Sequence, residues 1–261
     1  MIGEITRQNA HRPWPLPTGP WLMAQTWHDL LFAHWPIPVA TMRALVPPQL
    51  ELDTYDNTAW VGVVPFRMSN VRPRLVPPVP WLSAFPELNV RTYVKSRNPD
   101  QPKPGVYFFS LEAANPIAVA IARSAFKLPY FNAKMSLVDD GHTIHYQSQR
   151  THRGAPPAQF SGRYAPISEP FLAQPGILER WLTERYSLYT VDQKGRVYIG
   201  EIHHVPWPLQ RAEAEIQVNT MAAASKISLP DTPPLLHFAR RLDVVIWLLK
   251  SAEYGVRNAE S

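Results

Sequence analysis

Residues 105–137, GVYFFSLEAANPIAVAIARSAFKLPYFNAKMSL, read as a strand, a helix and a second strand. Aromatic and small residues alternate over Val106–Leu111, and a helical period follows over Ala113–Phe126. Because proline is tolerated only in a first helical turn, Pro116 predicts a helix that begins near Asn115, a good N-cap. The helix is rich in alanine and nearly uncharged on every face, which predicts that it is largely buried. We therefore predict a β-barrel or cone of strands packed around this helix.

The composition favours one class of fold. The chain has 261 residues, of which 45% are apolar and 18% are charged, as is ordinary for a globular protein. Its 29 prolines against 11 glycines exclude long helices and favour strand edges and turns. We predict a mainly β protein with a few helices, of the α+β class. Residues 1–20 are predicted to form an N-terminal arm, 21–250 a single domain and 251–261 a C-terminal tail.

Charge and cysteine content limit the partners and the compartment. Without cysteine the chain has no disulfide framework and no thiolate metal site. It has neither an apolar signal core at its amino terminus nor a run of about 18 apolar residues, so we predict a cytoplasmic protein with no membrane partner. The net charge is +5, but the basic residues are scattered and no nucleic-acid motif occurs, so nucleic acid is not an expected partner. A second copy of the same chain, in a homo-oligomer, is left open as a partner.

Apolar runs between the proline clusters predict the other elements. Helices are expected over Val39–Leu45 and Ile177–Glu184. The proline-studded segment Val71–Phe85 is expected to be a loop that binds a ligand or closes over it. Further strands are expected over Trp21–Trp35, Ala59–Met68, Glu87–Lys95, His142–Arg150, Gly162–Ile167, Arg185–Thr190, Gly195–His204, Gln210–Met221 and Leu242–Leu249.

The strand over Glu87–Lys95 carries polar residues in register. With a period of two, Glu87, Asn89 and Arg91 share one face with Tyr93, while apolar residues share the other. Two interpretations are open. The polar face lies in solvent, as in many antiparallel sheets, or it points into a barrel lumen where a ligand binds.

No known catalytic motif explains the remaining polar residues. The neighbours His203 and His204 point to opposite faces of a strand and cannot readily share a metal ion, so no metal site is predicted. The glycines are too few and isolated for a phosphate loop, and no cofactor is predicted. What remains is a set of ionisable groups in aromatic surroundings, each of which could also be a buried ion pair. The candidate catalytic residues are Glu87, Arg91 and Lys134, and the candidate ligand-binding residues are His28, Tyr107, Phe109, Arg185, Glu201 and His203.

Several blocks together resemble the YqjF-like bacterial domain of unknown function. They are LFAHWPIPVATMRALVPPQLELDTYDNTAWVGVVPFRM, SAFPELNVRTYV, GVYFFSLEAANPIAVAIARSAFKLPYFNAKM, GEIHHVPWPLQ and LLHFARRLDVVIW, in that order, and they cover most of Trp21–Leu249. That domain is similar in turn to acetoacetate decarboxylase through RALVPPQLELD and NPIAVAIARSAF. The resemblance implies a cone-shaped antiparallel β-barrel with a buried site.

The resemblance also implies a Schiff-base lysine, with a depressed pKa, that attacks a β-keto acid. Aligned without gaps from Ile117, the two lysine positions of the decarboxylase fall on Leu128 and Pro129. Lys127 is one residue out of register, and Lys134 lies on the next strand. Decarboxylation therefore does not carry over with the fold.

Three functional hypotheses follow. The first is a small-molecule site in the barrel, enzymatic or not, that selects a carboxylate or carbonyl ligand through Arg91 and uses Glu87 as acid or base. Its sharper form is a Schiff base on Lys134 or Lys127. The second is a non-catalytic binding or sensor protein. The third is a structural or interaction protein whose barrel is filled by its own side chains.

Overall fold

The computed structural model describes residues 2–97 and 102–252. Its helices are α1 (Ile2–Ile5), α2 (Val39–Leu45), α3 (Pro116–Ala125) and α4 (Leu178–Thr183). Its strands are β1 (Met23–Ile37), β2 (Glu51–Leu52), β3 (Ala59–Pro73), β4 (Phe85–Lys95), β5 (Gly105–Ala113), β6 (Tyr130–Asp139), β7 (Ile144–Arg150), β8 (Gln159–Pro166), β9 (Ser187–Val191), β10 (Val197–His203), β11 (Gln210–Asn219), β12 (Leu235–Ile246) and β13 (Lys250–Ser251). None of the described helices is both long and apolar enough to span a bilayer.

Nine strands close a barrel in the order β5, β6, β7, β8, β11, β12, β1, β3, β4, and β4 pairs back with β5. Neighbouring strands run antiparallel except β5 and β6, which α3 connects and which run parallel. Closure leaves no free edge among these nine strands. The predicted mainly antiparallel barrel is thus confirmed.

A second ring of strands shares part of this barrel. Strand β9 pairs with β5, β10 pairs with β9, and β12 pairs with β10, so seven strands also form a closed circuit: β5, β9, β10, β12, β1, β3 and β4. Strands β1, β3, β4, β5 and β12 belong to both circuits and therefore have an interior on both faces. On β4, Leu88 and Val90 pack into the core of the nine-stranded barrel, while Glu87 and Asn89 face the seven-stranded ring. Both sets are buried, as expected for a wall between two interiors.

Helix α3 begins as predicted but is not buried. The Asn115 Oδ1 accepts hydrogen bonds from the backbone N–H groups of Ile117 and Ala118, both 3.1 Å long, and Pro116 is the first helical residue. However, Val119 is the only residue of α3 that is fully buried, and Ile117 is exposed. The prediction of strands packed around this helix was wrong because an apolar helix fits an uncovered surface as well as a core.

A buried arginine is one of the residues that tie the predicted arm to the barrel. The Arg12 Nη1 donates a 2.6 Å hydrogen bond to the Ile202 carbonyl, and its Nη2 lies 3.5 Å from the Glu201 Oε2. Burial lowers the pKa of Arg12, and the neighbouring Glu201 carboxylate opposes that shift. Of the predicted tail, Ser251 pairs with β10 through β13, and residues 253–261 lie outside the described residues.

Candidate functional site

The seven-stranded ring encloses a cavity of about 300 Å³. This volume lies at the lower end of the range for pockets that bind small organic molecules. All seven strands of the ring contribute side chains to it, and α3 closes one side with Ala118, Ile121 and Ala122. Most of the wall is apolar, including Trp27, Phe66, Met68, Phe85, Phe108, Leu111, Ile202 and Trp207. The cavity therefore provides an apolar environment in which each polar group matters.

Polar side chains reach the cavity from alternate positions of β4. Glu87, Asn89 and Arg91 all line it, as the period of two predicts for one face of a strand. The interpretation that this face lies in solvent was wrong, because Glu87 and Asn89 are buried. Strand β4 can carry these groups inside because its other face, with Leu88 and Val90, supplies apolar packing.

The Glu87 carboxyl group has one side-chain partner. The Tyr130 hydroxyl, at the start of β6, donates a 2.8 Å hydrogen bond to its Oε2. The pKa of Glu87 is raised to about 8, chiefly by burial; the hydrogen bond from Tyr130 opposes the rise, and the charge of nearby Glu112 adds to it. Glu87 is therefore mostly protonated at neutral pH, and such a group can both donate and accept a proton.

Two arginines lie close together at the same cavity. The Arg91 Cζ is 5.9 Å and the Arg185 Cζ is 4.9 Å from the ring centre of Tyr93. The Arg185 Nη1 bonds the Asp53 Oδ2 at 2.6 Å, and its Nε bonds the Trp181 carbonyl at 2.6 Å. Arg91 forms no ion pair with any described residue.

The two guanidinium groups keep unused donors. The Arg91 Nε and the Arg185 Nη2 are buried and have no hydrogen-bond partner among the described residues. Burial also lowers the pKa of Arg185. Unpaired buried donors of this kind are costly, so a hydrogen-bond acceptor that reached them would be stabilised.

A layer of aromatic and histidine side chains supports these groups. The fully buried His34 places its Nε2 2.6 Å from the hydroxyl oxygen of Tyr93, the residue beside the two arginines. On the opposite wall, His204 lines the cavity and stacks on Tyr186, with ring centres 4.7 Å apart. Burial lowers the pKa of both histidines, so they are neutral at physiological pH.

The structure does not bring the predicted aromatic residues of β5 to the cavity. Val106 and Phe108 line it, whereas Tyr107 and Phe109 pack against the core of the nine-stranded barrel. Opposite β4, the register of β5 shifts by one residue, because Val90 faces Ser110 and Arg91 faces Phe108. This β-bulge re-aims the side chains after Phe108, so Leu111 rather than Ser110 is the next to reach the cavity.

Three other predicted ligand-binding residues also lie elsewhere. His28 is half-buried and bonds the Ser69 hydroxyl at 2.7 Å, on the face of β1 away from the cavity. Glu201 is held by Arg12 and by the Lys103 Nζ at 2.9 Å. The His203 Nε2 lies 2.8 Å from the Ile5 carbonyl oxygen, so this histidine contacts the N-terminal arm. Of the six predicted ligand-binding residues, Arg185 alone lines the cavity.

The structure does not bring lysine side chains to the cavity either. Lys134 is exposed on β6, and Lys127 is exposed after the end of α3, where its Nζ lies 5.0 Å from the ring centre of Tyr198. The cavity wall formed by the described residues contains no lysine. The candidate catalytic set therefore reduces to Glu87 and Arg91.

Sequence reasoning missed six polar residues of the cavity wall: Tyr130, His204 and Thr183, and also Gln25, Arg72 and Ser187. Tyr130 begins β6, where the chain returns from α3, so only the three-dimensional path brings it to Glu87. For His204 the signal was present, since adjacent residues on a strand face opposite ways, but the pattern does not say which of the two histidines points inward. Thr183 ends α4 and carried no signal in the sequence.

Comparison with known proteins identifies the family of this chain. Residues 24–243 match the DUF2071 family, described as an uncharacterized conserved protein. The chain is 50% identical over 235 residues to the uncharacterized protein YqjF of Bacillus subtilis (strain 168), an alignment that covers 90% of this chain and 94% of that protein.

Two solved structures share the fold at low sequence identity. A structure of acetoacetate decarboxylase has a TM-score of 0.60 and 14% identity, covering 96% of this chain and 98% of that one. The enduracididine biosynthesis enzyme MppR, complexed with pyruvate, has a TM-score of 0.59 and 8% identity, covering 92% and 93%. The predicted acetoacetate decarboxylase-like barrel is confirmed, and the chain belongs to the DUF2071 family of uncharacterized conserved proteins.

Proposed function

We propose that this protein binds a small organic acid in the cavity and moves a proton at the carbon beside the carbonyl group of that acid. Arg91 and Arg185 hold the carboxylate, and Glu87 exchanges the proton. The observation that carries the proposal is the pair of guanidinium groups, each with an unused buried donor, in a largely apolar cavity.

Electrostatics favour a negatively charged ligand. Two cations lie beside the Tyr93 ring, and only Arg185 has a carboxylate partner, Asp53. In a cavity that excludes most water, an added carboxylate would satisfy both unused donors and balance the second charge. A planar guanidinium group matches a carboxylate in geometry as well as in charge.

The cavity wall and the proteins that share the fold indicate which class of organic acid would bind. The apolar lining, including Trp27, Phe108 and Trp207, fits a ligand whose remaining part is aryl or branched alkyl. Among the proteins that share the fold, one is named for acetoacetate and one is described as complexed with pyruvate. Both molecules are carboxylates that also carry a carbonyl group, which supports a 2- or 3-oxo acid here.

The proposed step balances without a cofactor. The ionised Glu87 accepts the proton from the carbon beside the carbonyl, and the electron pair of the broken C–H bond passes to the carbonyl oxygen. A guanidinium donor stabilises the enolate oxygen, and the Tyr130 hydroxyl holds the Glu87 carboxyl in place. A Schiff base is not part of this scheme, because the described cavity wall offers no lysine.

Calorimetric titration with phenylpyruvate and with pyruvate tests the binding. We expect saturable binding of phenylpyruvate that is tighter than that of pyruvate, because the apolar wall contacts the ring. Arg91→Gln should weaken it roughly tenfold to a hundredfold, the value of a charge-assisted hydrogen bond. Arg163→Gln, at an exposed arginine paired with Glu215, is the matched control and should change nothing. If neither acid binds, the proposal fails.

Hydrogen–deuterium exchange at carbon 3 of phenylpyruvate, followed by proton NMR in D₂O, tests the chemistry. We expect catalysed exchange that rises with pH through about 8 as Glu87 ionises, and that Glu87→Gln abolishes while binding persists. Binding without catalysed exchange would instead support the non-catalytic binding or sensor function. A borohydride-trapped adduct would contradict the lysine-free scheme.

A further inference from the structure

The exposed part of the cavity wall shows where the cavity meets the surface. Of the described residues that line it, Pro73 and Ile121 alone are exposed. Pro73 ends β3 at the start of the proline-rich loop 74–84, and Ile121 lies in the middle of α3. The Asn115 side chain joins the two segments by donating a 3.4 Å hydrogen bond to the Trp81 carbonyl. The mouth of the cavity therefore lies between this loop and α3.

Large apolar side chains stand exposed on both sides of this mouth. Leu75 is 94% exposed and Trp81 is 68% exposed on the loop, and Ile121 is 52% exposed on the helix. Val76 and Ile117 are also exposed. Exposed apolar groups gathered in two touching segments, rather than scattered singly, mark a surface that contacts another apolar phase.

The same two segments are basic and contain no acid. Residues 71–84 include Arg72 and Arg74, residues 116–129 include Arg123 and Lys127, and neither segment has Asp or Glu. None of these four cations forms an ion pair with a described residue. Four unpaired positive charges around an apolar surface suit a partner that is apolar inside and anionic outside.

Leu75 is also held in an unfavourable backbone conformation. Its φ of 66° lies in the left-handed region, which costs a leucine free energy and which asparagine tolerates better. No packing of the side chain offsets this cost in free energy, because the side chain is almost wholly in solvent. Strain that presents an apolar side chain to solvent indicates a function for that side chain.

We propose that this surface, formed by Arg72, Arg74, Leu75, Trp81, Ile121 and Arg123 and here termed the mouth surface, docks on an anionic lipid bilayer. The apolar side chains enter the boundary between headgroups and acyl chains, and the cations face the anionic headgroups. Docking places the opening of the apolar cavity against the membrane, so that an amphiphilic acid dissolved there enters without crossing water. The proposal concerns the route of the ligand and stands independently of the chemistry at Glu87.

Co-sedimentation of the full chain with vesicles tests the docking. We expect binding to vesicles of equal parts phosphatidylcholine and phosphatidylglycerol, little binding to phosphatidylcholine alone, and a decrease as salt is added. Leu75→Asn should lower the partition coefficient at least tenfold, since it removes a leucine side chain that the bilayer would bury on docking. It should leave the melting temperature unchanged or raised, so loss of binding cannot be attributed to unfolding. Leu172→Asn, at a leucine that is 56% exposed elsewhere, is the matched control and should bind normally.

Charge reversal supplies a second arm. Each cation near an anionic surface contributes about a fivefold change in partition, so Arg74→Glu combined with Arg123→Glu should reduce binding by far more than tenfold. Arg153→Glu, in the turn between β7 and β8, is the control and should have a small effect.

Two outcomes would overturn the docking proposal. One is equal partition of wild type and Leu75→Asn into anionic vesicles, or no partition at all. The other is a dimer in analytical ultracentrifugation that Leu75→Asn dissociates, which would show that a second copy covers the mouth surface. Neither outcome bears on phenylpyruvate binding in solution, so failure here is distinguishable from failure of the proposed function.

Discussion

The two faces of the wall formed by β1, β3, β4, β5 and β12 bury different kinds of side chain. Towards the nine-stranded barrel, Leu31, Val63 and Val90 pack with buried tyrosines and phenylalanines and fill the interior. Towards the seven-stranded ring, Glu87 and Arg91 stand beside an open cavity. The first face stabilises the barrel by close packing. The second carries polar groups that the fold tolerates because the first face supplies the packing.

Two buried carboxyl groups on adjacent strands sharpen this contrast. Glu112, on β5, accepts hydrogen bonds from the Arg150 Nε at 2.9 Å, from the Arg150 Nη2, and from the Ser110 hydroxyl at 3.2 Å. Among the described residues, the Tyr130 hydroxyl is the single side-chain partner of Glu87, on β4. Burial raises the pKa of both groups, but Arg150 opposes the rise at Glu112. Glu112 is thus a structural ion pair, whereas Glu87 is left able to titrate.

The largest expected effect comes from exchanging each carboxyl group for an amide. Glu112→Gln leaves the Arg150 guanidinium buried without a counter-charge, and we expect a loss of about 4 kcal/mol in the free energy of unfolding. Glu87→Gln replaces a group that is neutral in the folded state but ionised in the unfolded state at pH 7 by one that is neutral in both, so we expect no loss but a gain of roughly 3 kcal/mol. Urea denaturation at pH 7 measures both. Similar losses in the two variants would show that Glu87 is also a structural charge.

The next effect is a dependence of stability on pH that belongs to Glu87. Its folded pKa of about 8 lies above the ordinary value of 4.5, so the folded state binds more protons than the unfolded state between these values. The stability that Glu87 contributes is therefore full below about pH 4.5 and is lost as pH rises towards 8, and roughly 3 kcal/mol of it is lost by pH 7.

The difference between wild type and Glu87→Gln isolates this contribution, because all other groups titrate in both proteins. We expect the free energy of unfolding of wild type to fall relative to that of the variant between pH 5 and pH 8. Parallel curves would mean that the pKa of Glu87 is ordinary, and the acid–base role would lose its basis.

The outcome for the sequence predictions follows the same division between the two faces. Alternation on β4 correctly placed Glu87, Asn89 and Arg91 together, because a regular strand keeps a period of two. On β5 Tyr107 and Phe109 also share one face, but that face lies towards the nine-stranded barrel, and a period of two does not say which face meets the cavity.

Other misses have a common physical cause. The apolar composition of α3 indicated burial, but composition does not distinguish a helix inside a core from one beside the mouth of a cavity. Lys134 was weighed because it follows the central helix, yet its position on β6 leaves it exposed. The partner of Glu87 was missed because Tyr130 lies 43 residues away in the chain, and long-range contacts of this kind depend on how the barrel closes.

The smallest expected effect concerns that partner. Tyr130→Phe removes a hydrogen bond that favours the ionised form of Glu87, so the pKa of Glu87 should rise above its wild-type value of about 8. A single hydrogen bond of this kind is worth about 1 kcal/mol, so the change in stability should be small. The carbonyl stretch of the protonated carboxyl group in infrared spectra, followed against pH, reports the midpoint, and Glu87→Gln identifies the band. Tyr146→Phe is the control, because its hydroxyl bonds the Glu87 backbone carbonyl at 2.7 Å rather than the carboxyl group. A midpoint that falls in Tyr130→Phe, or that moves equally in both variants, would show that Tyr130 does not set the titration of Glu87, and the cavity would then owe that titration to burial alone.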